Sequence, residues 1–458
     1  MTIKEDRGGS NDEPGSPDPH VSASLFSRHV AWTFLARLLM TLNSVLAGII
    51  VARWLGANGL GQLAVINVAV ATIVQLSSAG LPSANTYFIA QDNRHLPAAA
   101  VNSLLFALII GGLLAAGLSG LAVWRPAWFG FISPRLIGIA AISIPFQLLT
   151  LIGLNIFLAV GRIERFNLLD LAGQAFVLIN AVVALVILRA GLGTFVSLNT
   201  VLTVLFGILI VSLVWSYGAT LKGRLAWRPD GKLFAGMLRY GFKFHISILA
   251  GAMLFRADLL VVNYFRGAPE AGVYSVASQV ALMLMLLPGV VGTLLFPRVA
   301  AAQDLRAETT CRVTRHTAFV MLPICLAAIP LSFLLPLLYG PAFSDVSTQL
   351  LILLPGVYLI GLESVLVQHS NASGLPRAIP LFWLGTLGAN ICLVFILVPR
   401  FGARGAAIAS TISYALIFLL VFFHFRSVTG RSLSETFLLS GSELRQLISF
   451  SPRSGALK

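Results

Sequence analysis

Gly56-Ala57-Asn58-Gly59-Leu60-Gly61 and Gly267-Ala268-Pro269-Glu270-Ala271-Gly272 are the same phrase written twice, 211 positions apart. In each, Gly-Ala opens a break after a long apolar run, and a second glycine follows five residues later. Arg189-Ala190-Gly191 and Arg400-Phe401-Gly402 repeat at the same offset, and Leu151-Ile152-Gly153-Leu154 returns as Leu359-Ile360-Gly361-Leu362 at an offset of 208. Each match falls at the same place in one half of the chain. Such self-similarity points to two structural repeats.

The segments between these marks are apolar enough to cross a bilayer. Of 458 residues, 57% are hydrophobic and 10% charged, against about 25% charged in soluble domains. A spanning helix needs about 20 apolar residues. Twelve such segments are expected, at 29–52, 62–86, 97–123, 132–160, 166–188, 193–217, 236–265, 271–296, 316–339, 347–369, 379–398 and 404–426. The expected fold is all-α: a polytopic membrane protein with twelve transmembrane helices in two parallel six-helix repeats. Six is even, so both halves start on the same side, and their axis runs along the membrane normal with a path between them. The expected organisation is a disordered tail over 1–24, lobes over 25–217 and 236–426, a basic linker over 218–235, and a polar, partly helical tail over 427–458.

The formal charge of +14 would suggest nucleic acid in a soluble protein. Here the cations lie in short loops and set topology instead. With the N-terminus inside, 21 Lys and Arg residues fall on the cytoplasmic side and 7 on the other, so both termini are expected in the cytoplasm. Cys311, Cys325 and Cys392 have neither metal-ligand spacing nor an even count for disulfides. Gly56–Gly61 is followed by Gln62-Leu63 and lacks the Lys-Ser/Thr of a phosphate loop. No metal-binding histidine pattern occurs, and no large outer loop exists to house catalysis. No catalytic residue, metal or cofactor is expected. Small-residue runs such as Gly402–Ala409 read as helix packing.

Polar residues inside the spans are few, and a charge at mid-bilayer costs about 3 kcal/mol or more. Arg37 lies two turns into the first helix, with Asn43 beyond it. Lys243 and His245 sit early in the seventh; Lys243 either snorkels to the interface or faces inward. Within Phe255-Arg256-Ala257-Asp258, Arg256 and Asp258 are two residues apart and do not share a helical face, so at least one must meet a cavity or another helix. Asp258 and Glu363 are open between proton-coupling carboxylates, suited to that role when shielded from water, and structural ion-pair partners. Glu363 could neutralise Arg37 or Lys243. Asp170 reads as interfacial.

Three stretches carry a family resemblance. They are Ala52-Arg53-Trp54-Leu55-Gly56 through Gly61-Gln62-Leu63-Ala64; Phe255–Asp258 with Gly272-Val273-Tyr274-Ser275-Val276-Ala277 and Leu295-Phe296-Pro297; and Asn371-Ala372-Ser373-Gly374 with Val398-Pro399-Arg400-Phe401-Gly402-Ala403-Arg404-Gly405-Ala406-Ala407. In order and spacing over about 25–426 the chain resembles the Wzx-type oligosaccharide flippases of polysaccharide biosynthesis. These share a superfamily with multidrug exporters and the peptidoglycan-precursor flippase. Leu63 departs from the family, which often has Tyr there. The resemblance implies an alternating-access carrier in a bacterial inner membrane, not an enzyme. Its substrate would be a polyprenyl-diphosphate-linked oligosaccharide, moved to the outer leaflet among membrane lipids, with a polysaccharide polymerase and export proteins as partners and no nucleic acid. It implies cations in the lumen that meet the diphosphate, and Arg37, Lys243 and Arg256 are the intrahelical cations here. The alternatives are an ion-coupled multidrug-type exporter, which would need acidic cavity residues, and a membrane glycosyltransferase or polymerase.

Overall fold

The computed structural model describes the backbone of residues 19–130, 132–220, 227–302, 307–372 and 376–438. It describes their side chains except at 19–31, 33, 243–244, 247, 297–298 and 300–302. The described chain is helical throughout, without strands. In lipid this follows from the need of each backbone N–H and C=O for a partner within its own segment. The helices are α1 Pro19–Ser77, α2 Leu81–Gln91, α3 Leu96–Trp124, α4 Pro134–Ala141, α5 Ser143–Ala159, α6 Ile163–Asn180, α7 Leu192–Ala219, α8 Gly231–Leu254, α9 Ala257–Arg266, α10 Ala268–Leu284, α11 Leu286–Ala302, α12 Glu308–Ser332, α13 Leu335–Tyr339, α14 Val346–Ala372, α15 Ala378–Thr429 and α16 Leu433–Phe437. A π-helical segment, Ala181–Ile187, extends α6.

Among the described residues ten helical segments are long and apolar enough to cross a membrane. Two of them, Phe34–Ser77 and Ala378–Thr429, contain a glycine kink, at Gly56 and Gly402 respectively. Divided there, each yields two pieces of more than 20 residues. The loops expected after the first, seventh and eleventh helices are therefore single-residue hinges. Gly56 has φ 67° and ψ −175°, and Gly267, between α9 and α10, has φ 82° and ψ 173°. This region is open essentially to glycine alone. It lets the chain change direction without spending a loop.

Other spans are broken where the sequence reads as continuous. The 236–265 run stops at Phe255 and restarts at Ala257, with Arg256 between at φ −137° and ψ −23°. The 132–160 run breaks at Ile142, and the 271–296 run at Met285. At the N-terminus, α1 begins at Pro19, inside the expected 1–24 tail; residues 1–18 of that tail lie outside the described residues. So do 221–226 of the linker, Ser373-Gly374 and residues 439–458. After α15, Ser432 and Glu435 form a capping box that starts α16; this short helix packs on α12.

Within the first half α5 packs between α3 and α7, and within the second α14 packs on α11, α12 and α15. Thr200 donates to the carbonyl of Ile139 at 3.3 Å, and Thr411, 211 positions later, donates to that of Ile352 at 2.6 Å. The halves meet where α1 crosses α10. A Cβ added to Gly61 would stand 1.7 Å from the Ala268 oxygen, and one on Gly272 2.2 Å from the Ala57 oxygen. The repeated second glycine is thus a site of backbone-to-backbone approach. Nearby, Arg53 donates from Nε to Leu338 O at 2.8 Å and from Nη2 to Leu337 O at 2.5 Å, tying α1 to α13. A second approach joins the halves at Gly80 and Gly241, where Tyr87 stacks on Tyr240 at 4.2 Å.

Candidate functional site

Beneath the Gly61–Gly272 crossing the two halves diverge around a cavity of about 1030 Å³. One wall is α1, contributing Phe34, Arg37, Thr41 and Ser44 before its kink and Ala64, Asn67 and Val68 after it. The facing wall is α10 and α11, from Ser275 to Leu294. Arg256 enters from the break between α8 and α9. It lines this cavity and also an adjoining one of about 190 Å³ beside Thr72 and Gln75. Among the described residues α1 and α11 make at most sparse contact.

The break at Phe255–Arg256 explains how Arg256 reaches this space. Its amide closes a tight last turn onto Met253 O at 3.1 Å, and its torsions leave the helical region. Its side chain is exposed to the cavity and has no hydrogen bond among the described residues. Arg37 lies on the same cavity from the opposite half. Asp170 on α6 is within electrostatic range of it. Two always-charged, planar guanidinium groups therefore face one chamber, a combination suited to phosphate oxygens.

Asp258 points the other way. It is 2% exposed. One carboxylate oxygen accepts from the Leu259 amide at 2.8 Å; the other accepts from Ser410 at 2.9 Å and from Tyr274. It sits in the first turn of α9, where a carboxylate complements the helix dipole. Its partners are hydroxyls and an amide instead of a cation, and they tie α9 to α10 and α15. Though it touches the cavity rim, its oxygens are taken.

The remaining expected residues lie elsewhere. Glu363 is buried on α14, its Oε1 without a hydrogen bond among the described residues, and it does not line the cavity with Arg37. Lys243 belongs to α8 by its backbone, but its side chain lies outside the described residues. Asn43 donates to Gln174 O at 2.6 Å, joining α1 to α6. Among the described residues no group of three His, Cys, Asp or Glu side chains comes together to hold a metal ion.

The uncharged polar lining is what sequence reading missed. Asn67, Ser278 and Gln279 face the cavity, six or seven residues beyond Gly61 and Gly272. Two turns of helix return a side chain to the same face, so the repeated glycines themselves mark these positions.

Comparison with known proteins gives the site its setting. A family described as "Polysaccharide biosynthesis protein" matches residues 50–348, and the chain belongs to that family. It is 25% identical over 196 residues to a Shigella flexneri protein described as "Putative O-antigen transporter". It is 27% identical over 186 residues to "Probable flippase AglR" of Haloferax volcanii. These stretches cover 42% and 39% of this chain, and the chain spans less than half of each relative, 46% and 38% of their lengths. The fold matches the solved structure of the lipid II flippase MurJ in an inward closed conformation. The TM-score is 0.69 at 16% identity, covering 92% of this chain and 95% of that one.

Proposed function

We propose that the chain is an alternating-access flippase. It moves a polyprenyl-diphosphate-linked oligosaccharide from the cytoplasmic to the outer leaflet of a bacterial inner membrane, for surface or exopolysaccharide assembly. The observation that carries this reading is the convergence of Arg37 and Arg256, from opposite halves, on one cavity walled by α1 and by α10 and α11. A diphosphate loses strong hydration on leaving water, and paired guanidinium groups offset that loss with charge-assisted hydrogen bonds. Sparse contact between α1 and α11 leaves a route by which a polyprenyl tail stays in lipid while its head group occupies the chamber. The family membership and the fold it shares with a lipid II flippase support the same reading.

The transporter is organised as two six-helix lobes, 25–217 and 236–426, joined by the basic segment 218–235. Both termini are cytoplasmic, by the distribution of Lys and Arg. In that orientation the Gly61–Gly272 crossing lies toward the outer face, and Arg37 toward the cytoplasm. The chamber then receives substrate from inside, and rocking the lobes about the path between them delivers it outside. The chain moves its cargo without making or breaking covalent bonds in it. The free charges of the chamber are cationic, which favours an anionic head group over the cationic cargo of a multidrug exporter.

Replacing Arg256 with alanine in the native host tests the reading. Surface polysaccharide should be lost and lipid-linked repeat units should accumulate on the cytoplasmic leaflet, while the protein still inserts. Normal polysaccharide from Arg256→Ala at native expression overturns the assignment.

A further inference from the structure

We infer that Asn67, Ser278 and Gln279 form a carbohydrate-recognising subsite that selects an uncharged sugar joined directly to the diphosphate. The inference rests on the flippase reading and assigns a second, separate task within the same cavity.

Its first support is position. Starting from the crossing glycines, corresponding turns of α1 and α10 bring paired residues into the cavity: Ala64 with Ser275, Asn67 with Ser278, and Val68 with Gln279, each 211 apart. These pairs lie directly below the place where the two backbones touch. They form the closed end of the chamber, beyond the arginines. Ser44 lies seven residues beyond Arg37, about 10 Å along α1 at the helical rise. That leaves room for a diphosphate at the arginines and a sugar ring at the closed end.

Its second support is unused hydrogen-bonding capacity. Asn67, Ser278 and Gln279 make no hydrogen bond among the described residues. An amide side chain offers two donors and an acceptor, and a hydroxyl offers one donor and accepts. That set matches adjacent sugar hydroxyls or an acetamido group. The Tyr339 hydroxyl, buried and without a hydrogen bond among the described residues, lies behind this end. It and the Gln279 Oε1 each stand 3.6 Å from where a Cβ on Gly48 would be. A buried polar group left unpaired is costly, and beside it the half-buried Gln279 amide keeps its hydrogen-bonding capacity for what enters the cavity.

Its third support is the charge pattern. Among the described residues Asp258 is the only carboxylate on the cavity wall, and its oxygens are occupied by Leu259, Tyr274 and Ser410. An amino sugar would find no counter-charge at the closed end. A uronic acid would compete with the diphosphate for the two arginines. The uncharged lining of the closed end therefore suits a neutral sugar.

The test compares binding of purified, full-length protein to undecaprenyl diphosphate and to undecaprenyl diphosphate bearing N-acetylglucosamine, glucosamine or glucuronic acid. Native mass spectrometry provides the readout. The wild type should bind the N-acetylglucosamine form at least tenfold more tightly than the bare lipid and than either charged form. Asn67→Leu and Gln279→Leu should each lose about fivefold to tenfold of that preference, the effect of one hydrogen bond. Both should keep wild-type affinity for the bare lipid, which also reports that they are folded. Wild-type protein that binds all four lipids equally overturns the subsite and leaves the flippase reading standing. So do variants with undiminished preference. Protein that binds none of the lipids overturns the flippase reading and the subsite with it.

Discussion

A side-chain carbon added to Gly272 would lie 2.8 Å from the amide nitrogen of Gly61. These residues are 211 positions apart and occupy matching places in the two halves. Their contact closes the chamber at one end, so bulk there should act on conformation before it acts on chemistry. Gly61→Ala and Gly272→Ala should each force the backbones apart, with an overpacking cost of about 1–3 kcal/mol. A cysteine placed at Ser275 should then label with a membrane-impermeant thiol reagent from the side that is sealed in the wild type. Unchanged labelling would show that the crossing is not a seal.

The Asp258 cluster should behave as one cooperative unit. Asp258→Ala leaves the Tyr274 and Ser410 hydroxyls and the Leu259 amide without their acceptor, and should cost about 1–3 kcal/mol. Tyr274→Phe and Ser410→Ala should each cost about 1 kcal/mol. The double variants should depart from additivity by about 0.5–3 kcal/mol. Thermal unfolding in detergent measures all of these; strict additivity would mean that the three helices are not held through this carboxylate.

Two carboxylates near the Gly402 kink make contrasting contacts. Glu270 accepts from the Ala403 amide at 2.6 Å, just past the Gly402 kink, and so caps the second part of α15 from α10. Asp345 pairs with Arg404 at 2.5 Å, with the two side chains 37% and 56% exposed. Losing a cap costs about 1 kcal/mol, whereas exposed ion pairs contribute about 0–1 kcal/mol. Glu270→Ala should therefore destabilise the protein more than Arg404→Ala, and only the Arg404 variant should lose its effect in high salt.

The α16 helix should respond to acid. Glu435 is held below its ordinary value of 4.5, chiefly by the Ser432 amide and then its hydroxyl, with Arg431 adding to the effect. A depressed carboxyl contributes stability that is present above the unfolded value and is lost as pH falls through the folded one. Hydrogen exchange over Leu433–Phe437, corrected for intrinsic rates, should be unchanged from pH 7 down to about 4.5 and rise below it. Glu435→Gln should remove that rise.

Much of the architecture can be read from the sequence because its causes are local. Apolar length marks the spans, and paired glycines mark the hinge and the crossing. Arg37 and Arg256 stand out because a charge in an apolar run is costly enough to need a reason. The break at Arg256 is less legible, since nothing in Leu254-Phe255-Arg256-Ala257 disfavours a helix; two residues on, Asp258 is tied to α10 and α15 by contacts that the local sequence does not reveal. Glu363 shares the rarity of Arg256, yet rarity does not reveal which way a helix is turned, and it faces protein instead of cavity. Asn67, Ser278 and Gln279 give the weakest signal. Neutral polar side chains are common enough in membrane helices that only their register against the glycines distinguishes them.

The pairs below the crossing differ in one further respect. The two walls share a frame, but one presents Ala64, Asn67 and Val68 where the other presents Ser275, Ser278 and Gln279. The frame has a twofold relation and its furnishing does not. A head group turned half a revolution about the axis between the walls would meet Val68 where it had met Gln279. The chamber is therefore keyed: a head group that fits it one way round does not fit it the other.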